Sequence, residues 1–148
     1  MTRAILTTPF LSCFVLFDCL FHSVYYYCYD DCQGLTSNCF FVYPGRVLKT
    51  PKDGILRGYA RHRVVQAAQA LGYHVEQGPV SLDEAPAWQE VFVTSAIRLV
   101  QPVQTIVQRQ QQGKGNDGLP TEVWKSPSSS EFSVAKGILN RILDEEQL

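Results

Sequence analysis

The stretch LKTPKDGILRGYARHRVVQAAQALGY, residues 48–73, decides the fold that we expect for this chain. Its first residues end a run of β-forming residues. A loop with residues that break helices and strands follows at Thr50–Gly54, and a helical pattern begins at Gly58. Gly72 stands where that helix is expected to stop. The apolar residues at helical spacing, which should form its buried face, are Val64, Val65, Ala68 and Leu71. The pattern therefore predicts a strand–loop–helix unit.

Upstream of this unit the sequence predicts a β-hairpin. Cys39–Tyr43 is rich in β-forming residues, Pro44 and Gly45 are turn residues, and a second short run follows at Arg46–Leu48.

Downstream, alternation predicts a strand at Tyr73–Gln77 and a capping box predicts a short helix at Ser81–Glu84. Two further strands are expected at Glu90–Ser95 and Leu99–Val107, with Pro102 marking an edge or a bulge in the second. These elements indicate an α/β (α+β) fold, in which a mixed or largely antiparallel sheet is flanked by helices.

The rest of the chain is predicted to form a mobile segment and a last helix. Gln108–Pro120 is rich in glutamine and glycine and is expected to be mobile. Ser128, Ser129 and Ser130 are expected to cap the helix that follows. Its apolar face is formed by Val134, Ile138, Ile142 and Leu143.

Composition excludes few classes of protein, but it separates two segments of the chain. The 148 residues, 45% of them hydrophobic, suffice for one domain with a core, and a net charge of −1 argues against a nucleic-acid partner. All five cysteines lie in the first 39 positions, and the first lysine is Lys49. We therefore divide the chain into an atypical hydrophobic segment, residues 1–33, and a regular domain, residues 34–148.

Three interpretations of the first segment remain open. Residues 10–29 are apolar enough to suggest a membrane anchor or signal sequence, but Asp18 and His22 interrupt them and a small-residue cleavage site is missing. A metal site is a second interpretation, although the spacing of its candidate ligands is irregular. Those ligands are Cys13, Cys19, His22, Cys28 and Cys32.

The third interpretation is that the segment is an artefact of the gene model. Its Phe, Leu, Ser, Cys and Tyr residues are those that pyrimidine-rich codons specify, as upstream of a splice acceptor. We then expect residues 1–33 to pack poorly on the rest or to form an isolated helix.

Three motifs, in this order, resemble class IV aminotransferases, the pyridoxal-phosphate (PLP) enzymes of fold type IV. They are QGLTSNCFFV (Gln33–Val42), LKTPKDGILRGYARHRVVQAA (Leu48–Ala68) and EVFVTSAIRLVQPV (Glu90–Val103). That family includes branched-chain aminotransferases, D-amino-acid transaminases and aminodeoxychorismate lyases. The resemblance implies the large domain of the D-amino-acid aminotransferase-like fold, and TSAIRLVQPV favours the lyase and D-amino-acid branch.

The resemblance also implies a cofactor and its binding residues. PLP would place its phosphate at the helix N-terminus formed by Gly58, Tyr59 and Ala60, and a second contact would come from the turn Thr94-Ser95-Ala96. Ala60 and Ala96 stand where the family often has threonine, so each removes a hydroxyl contact. The remaining implied cofactor-binding positions are Gln33, Ser37, Asn38 and Leu56.

Two departures from the family concern the chemistry. The lysine that binds the cofactor covalently lies upstream of the first motif in the family, and residues 1–48 contain no lysine. Lys49 and Lys52 do not match its position. Gln33 occupies the place of the glutamate that keeps the pyridine nitrogen protonated. We therefore assign no catalytic residue and no metal, and expect this chain by itself to be inactive.

The functional expectation is a fragment of an enzyme that acts on an amino acid, a keto acid or an aminochorismate. A non-catalytic scaffold or a membrane-tethered interaction protein is the alternative. The resemblance implies a homodimer for the full-length family and a location in the cytoplasm or an organelle. A membrane location would be possible only through residues 10–29.

Overall fold

The structure is a computed structural model that describes residues 2–7, 12–18, 23–24, 38–52, 57–95, 99–112, 116–117, 121–127 and 132–146. Side chains are described from residue 38 onward, except those of residues 95, 107–112 and 116–117.

The helices are α1 (Tyr59–Ala70) and α2 (Ser133–Glu146), and a 3-10 helix spans Leu82–Ala87. The strands within the described residues are β1 (Thr2–Thr7), β2 (Ser12–Asp18), β3 (Ser23–Val24), β4 (Asn38–Tyr43), β5 (Val47–Thr50), β6 (His74–Gln77), β7 (Glu90–Ser95), β8 (Leu99–Val103), β9 (Thr105–Gln112), β10 (Asn116–Asp117) and β11 (Thr121–Lys125).

The five-stranded sheet has the strand order β6-β5-β4-β7-β8. All its pairs are antiparallel except β5 and β6, which run parallel because α1 connects them. This arrangement confirms the expected mixed sheet with flanking helices, and the predicted hairpin is β4 and β5. Pro102 lies on the edge strand β8, where its missing N–H is tolerated.

Strand alternation gives this sheet two apolar faces. Phe40, Val42 and Phe92 face α1 and α2, where they pack against Val64 and Ile138. The opposite face packs against the 3-10 helix and against residues of β9 and β11. Its buried residues include Cys39, Phe41, Tyr43, Trp88, Val91, Ile106 and Trp124.

The two ends of α1 confirm the sequence prediction. Gly58 is its N-cap, and Gly72 follows its C-terminus with a φ of 83°, a conformation that favours glycine. Val64 is fully buried, while Val65 and Leu71 are partly buried against the same core. The capping box also forms, since Ser81 Oγ accepts from the Asp83 N–H and Glu84 Oε1 accepts from the Ser81 N–H.

One prediction in the second half of the chain is wrong. Residues 99–107 form no single strand, because Gln104 separates β8 in the five-stranded sheet from β9 in another sheet. In the stretch 108–120, which was expected to be mobile, β9 continues to Gln112 and β10 pairs with it, so regular structure was missed there and the mobility stays a prediction. Period-two alternation identifies strands but cannot show at which residue the chain passes from one sheet to the next. The serines at 128–130 lie outside the described residues.

The first segment contributes strands to that other sheet, whose order is β10-β9-β1-β2-β3, with β11 also paired to β9. β1 pairs with β2 on one side and with β9 on the other. The isolated-helix prediction is therefore wrong for residues 2–7, 12–18 and 23–24. The side chains of this segment, including those of the candidate metal ligands, lie outside the described residues. Their packing and the division at residue 33 therefore stay predictions.

A membrane-spanning helix was one interpretation of residues 10–29. None of the helices in the described part of the chain is long and apolar enough to cross a bilayer.

Candidate functional site

Three strand ends of the five-stranded sheet meet at one edge. Asn38 begins β4 and lies opposite Thr94 near the end of β7. Thr50 ends β5, and its Oγ1 donates to the backbone oxygen of Cys39 at 2.8 Å. The same edge receives the start of α1, because Arg61 Nη2 donates to the Pro51 oxygen at 3.1 Å. We call this place, formed by Asn38, Thr50, Pro51, Thr94 and the first turn of α1, the polar edge.

The N-terminus of α1 has no side-chain cap from the described residues. Gly58 adopts an extended conformation (φ −74°, ψ 161°), and its position as N-cap supplies no side chain to accept a hydrogen bond from the first turn. A Cβ placed on Gly58 would meet no atom of the described residues within 4 Å, so the space that they leave beside the cap is open. Ala60 is buried and Tyr59 is 67% exposed. Free N–H groups and the positive end of the helix dipole favour an anion at this point.

Two buried side chains at the polar edge have unsatisfied atoms. Within the described residues, Asn38 Oδ1 and Thr94 Oγ1 have no hydrogen-bond partner, although the residues are 4% and 1% exposed. Alternation places both on the sheet face that carries Phe40 and Phe92, which is the face covered by α1. Buried polar atoms are nearly always satisfied, so two unsatisfied atoms on the sheet face that α1 covers indicate a place for a polar ligand.

The polar edge also contains a buried cation. Arg61 Nη2 donates to Gln77 Oε1 at 3.0 Å as well as to Pro51, while Arg61 Nε has no partner among the described residues. Burial, with a smaller contribution from the charge of Arg57, lowers the pKa of the guanidinium.

Lys49 is bound to carboxylates and not to the groups of this edge. Lys49 Nζ donates to Glu84 Oε2 at 3.0 Å and lies 3.7 Å from Glu76 Oε2. It also makes a cation–π contact with the face of the Tyr43 ring. The hydrogen bond to Glu84, opposed by burial, raises the pKa of Lys49, so its amine stays protonated and is not a nucleophile. Lys52, Lys125 and Lys136 are exposed.

The same polar network explains the 3-10 helix. Tyr43 Oη donates to Glu84 Oε2 at 2.7 Å and accepts from Trp88 Nε1 at 2.8 Å. Burial acts to raise the pKa of Glu84, but the hydrogen bonds from Tyr43, the Ser81 N–H and Lys49 outweigh it and hold that pKa below its usual value. Burial and the bond to Glu84 raise the pKa of Tyr43. The charged groups of this network are paired, so we assign it to the fold.

The N-terminus of α2 is occupied by a side chain of the protein itself. Glu90, buried in β7, accepts from the Ala135 N–H at 2.8 Å and from the Val134 N–H at 3.0 Å. Burial raises the pKa of this carboxyl, and the two N–H groups partly offset that rise. Sequence reasoning missed this cap because donor and acceptor lie 44 or 45 residues apart.

The structure describes only part of the site that the sequence predicted. It brings Asn38, Gly58 and Ala60 to the polar edge and leaves Tyr59 largely exposed beside them. Ser95 is described only as the end of β7, whereas Gln33, Ser37, Leu56 and Ala96 lie outside the described residues. Thr94 belongs to the predicted second phosphate contact, whereas Arg61 was missed as a site residue. The available signal for Arg61 was a polar residue at an inward position of an apolar pattern.

A model of the amino-transferase class IV family matches residues 30–106, slightly more than half of the chain. The chain belongs to the class IV aminotransferase family. It is 30% identical over 111 residues to branched-chain-amino-acid aminotransferase 5 of Arabidopsis thaliana, which covers 70% of this chain and 27% of the relative. It is 40% identical over 73 residues to the Arabidopsis aminotransferase 2, covering 47% of this chain and 19% of the relative.

Two solved structures of aminotransferases share the fold. The branched-chain aminotransferase of Escherichia coli aligns with a TM-score of 0.54 at 21% identity, over 71% of this chain and 31% of that one. An aminotransferase of Brucella abortus bound to PLP aligns with a TM-score of 0.53 at 21% identity, over 76% of this chain and 34% of that one. The chain thus spans about a fifth to a third of the length of these proteins.

Proposed function

We propose that this chain supplies the cofactor-phosphate site of a PLP-dependent class IV aminotransferase. The observation that carries the proposal is the uncapped N-terminus of α1, set against a sheet edge with unsatisfied buried polar atoms. When bound, PLP supplies the electron sink of the reaction. The protein's part at this site is to bind and orient the phosphate.

The residues of the polar edge fit a phosphate group. The N–H groups that follow Gly58 supply donors and a positive dipole end, and Thr94 Oγ1 is a further donor without a partner in the described residues. Asn38 carries both donors and an acceptor in its amide. Ser95 and Ala96, with Gln33, Ser37 and Leu56, complete the proposed cofactor site through the resemblance of their motifs to the family.

The 148-residue chain by itself is proposed to hold the cofactor without turnover. Catalysis requires an amine that reacts with the cofactor and moves a proton, and none of residues 1–48 is a lysine. Lys49 is tied to Glu84 on the sheet face opposite Thr94. Residues 34–148 are accordingly proposed to be a large-domain unit that functions as part of a longer, dimeric enzyme.

The substrate class follows from the relatives named above. We infer amino acids and their keto acids, with branched-chain amino acids first because the Arabidopsis relatives are branched-chain aminotransferases. The stretch TSAIRLVQPV keeps aminodeoxychorismate as the second substrate to test.

Binding measurements on the purified chain test the cofactor site. Inorganic phosphate should bind and compete with PLP, and pyridoxal, which lacks the phosphate, should bind about tenfold or more weakly. Failure of both phosphate and PLP to bind at millimolar concentration would contradict the proposal.

Activity is tested separately from binding. The chain, PLP and either a branched-chain amino acid with a keto-acid acceptor or aminodeoxychorismate should give no product. Borohydride reduction and mass spectrometry should find no cofactor attached to the protein. Turnover together with a cofactor trapped on Lys49 or Lys52 would show that the inactive assignment is wrong.

A further inference from the structure

Arg61 joins the first turn of α1, Pro51 and the end of β6 through one buried side chain. It belongs to the first turn of α1 and is 7% exposed. Its Nη2 donates to the oxygen of Pro51, the residue after β5, and to the side chain of Gln77, the last residue of β6. The position of the first turn of α1 relative to the two parallel strands therefore depends on this guanidinium.

The charge of Arg61 is not compensated by the groups that it contacts. The Pro51 oxygen and the Gln77 amide oxygen are neutral, and no carboxylate pairs with Arg61 in the described part of the chain. The neighbouring charge, that of Arg57, has the same sign. A buried charge without a counter-charge is costly, and an anion bound close by offsets that cost.

Arg63, two residues along the same helix, shows the opposite arrangement. Its Nη2 lies 3.4 Å from Glu145 Oε2 and donates to the Ile142 oxygen, also at 3.4 Å. Arg63 thus joins α1 to α2 through a paired charge, whereas Arg61 joins α1 to the sheet through a charge that no carboxylate of the described residues pairs with. The two side chains form a matched pair for experiment.

We propose that Arg61 is a positioning residue that fixes the first turn of α1 for phosphate and couples its own charge to the bound anion. This inference rests on the proposed function. Arg61 acts through the backbone N–H groups of Tyr59 and Ala60, so its removal weakens binding of any phosphate-bearing ligand. Ligands without a phosphate are affected little.

The test compares the full chain with Arg61→Gln, Arg61→Lys and Arg63→Gln. Binding of inorganic phosphate, PLP and pyridoxal is measured for each, together with the thermal midpoint. Arg61→Gln should weaken phosphate and PLP about tenfold or more and leave pyridoxal within about twofold. Arg61→Lys keeps the charge but not the planar fork, so its phosphate affinity should lie in between. Arg63→Gln should lower the thermal midpoint while phosphate affinity stays within about twofold.

The outcomes separate a positioning role from general destabilisation. Phosphate affinity unchanged in Arg61→Gln, or an equal loss in Arg63→Gln, would overturn the proposal. A wild-type chain that binds no phosphate would refute the proposed function and, with it, the coupling to an anion.

Hydrogen exchange of the backbone amides in residues 57–60, measured without ligand, then decides the positioning role. Faster exchange in Arg61→Gln but not in Arg63→Gln supports it, and equal exchange in wild type and Arg61→Gln overturns it.

Discussion

The two long helices of this protein begin in opposite ways. At α2 the Glu90 carboxylate accepts from two first-turn N–H groups, so the protein itself supplies the anion that this helix end favours. At α1 the cap is Gly58, which has no side chain to accept from the first turn, and the described residues leave the space beside the cap open. Both helices pack on the same sheet face, so the difference lies in what each helix end binds. A satisfied end indicates a structural role, and an unsatisfied one indicates a ligand.

Removing the cap of α2 should have the largest effect on stability. Glu90→Ala leaves the N–H groups of Val134 and Ala135 without an acceptor in a buried place, which should cost about 2–3 kcal/mol in the free energy of unfolding. Urea denaturation measures this.

Glu90→Gln is the control for that variant. It keeps one acceptor oxygen, and the raised pKa of Glu90 means that a neutral group is well tolerated there, so its cost should be much smaller. Equal losses in the two variants would show that the charge, and not the hydrogen bonds, holds α2.

Giving α1 a cap of its own should remove the difference between the helices. Gly58→Asp fits the observed φ and the open space, and its carboxylate would accept from the first-turn N–H groups. We expect phosphate affinity to fall about tenfold, which is about 1.4 kcal/mol, while stability rises by a few tenths. Competition binding and thermal unfolding measure the two effects.

Gly58→Asn serves as the neutral control, because it caps without adding a negative charge. Its affinity loss should be smaller than that of Gly58→Asp. Unchanged phosphate binding in Gly58→Asp would place the anion elsewhere.

Two threonines at the polar edge should respond in opposite directions to the same substitution. The Thr50 hydroxyl donates to the Cys39 oxygen, so Thr50→Val should cost about 1 kcal/mol of stability. The Thr94 hydroxyl is buried without a partner in the described residues, so Thr94→Val should be neutral or slightly stabilising, by up to about 1 kcal/mol. Denaturant unfolding without ligand measures both, and phosphate binding should weaken in Thr94→Val. A clear loss of stability in Thr94→Val would mean that its hydroxyl is satisfied in the protein.

The smallest expected effect is the pH dependence of the Glu84 network. The pKa of Glu84 is lowered from 4.5 in the folded protein, so its stabilisation is present above pH 4.5 and is lost as pH falls through the folded value. The difference in unfolding free energy between wild type and Glu84→Gln, less than about 1 kcal/mol, should therefore shrink in acid. Glu90, whose pKa is raised, contributes with the opposite sign, losing stabilisation as pH rises through its folded value. A difference that grows below pH 4.5 would contradict the assigned direction for Glu84.

Local signals predicted much of the fold. The capping box at Ser81, the Gly58 and Gly72 boundaries of α1 and the hairpin at Pro44–Gly45 all depend on residues within one turn of each other. The part of β9 beyond Val107 and the short strand β10 paired with it were missed, because glutamine and glycine carry a weak β signal and pairing with β1 stabilises β9. At the candidate site, Gly58, Ala60 and Thr94 were identified from their motifs, whereas Arg61 needed the geometry of the polar edge.

The sequence by itself determined which segments form helices and strands around residues 38–95, and it carried the motifs of the family. Periodicity and capping are local, so the order of residues is enough to specify them. Only the tertiary structure decided which polar groups are paired. The hydrogen bond between Glu90 and α2 joins residues 45 positions apart in sequence, and the one between Lys49 and Glu84 joins residues 35 positions apart. Asn38 lies opposite Thr94 in the pairing of β4 with β7. Whether a buried donor or acceptor is satisfied depends on such long-range contacts, and for that reason the open end of α1 became recognisable only in the folded chain.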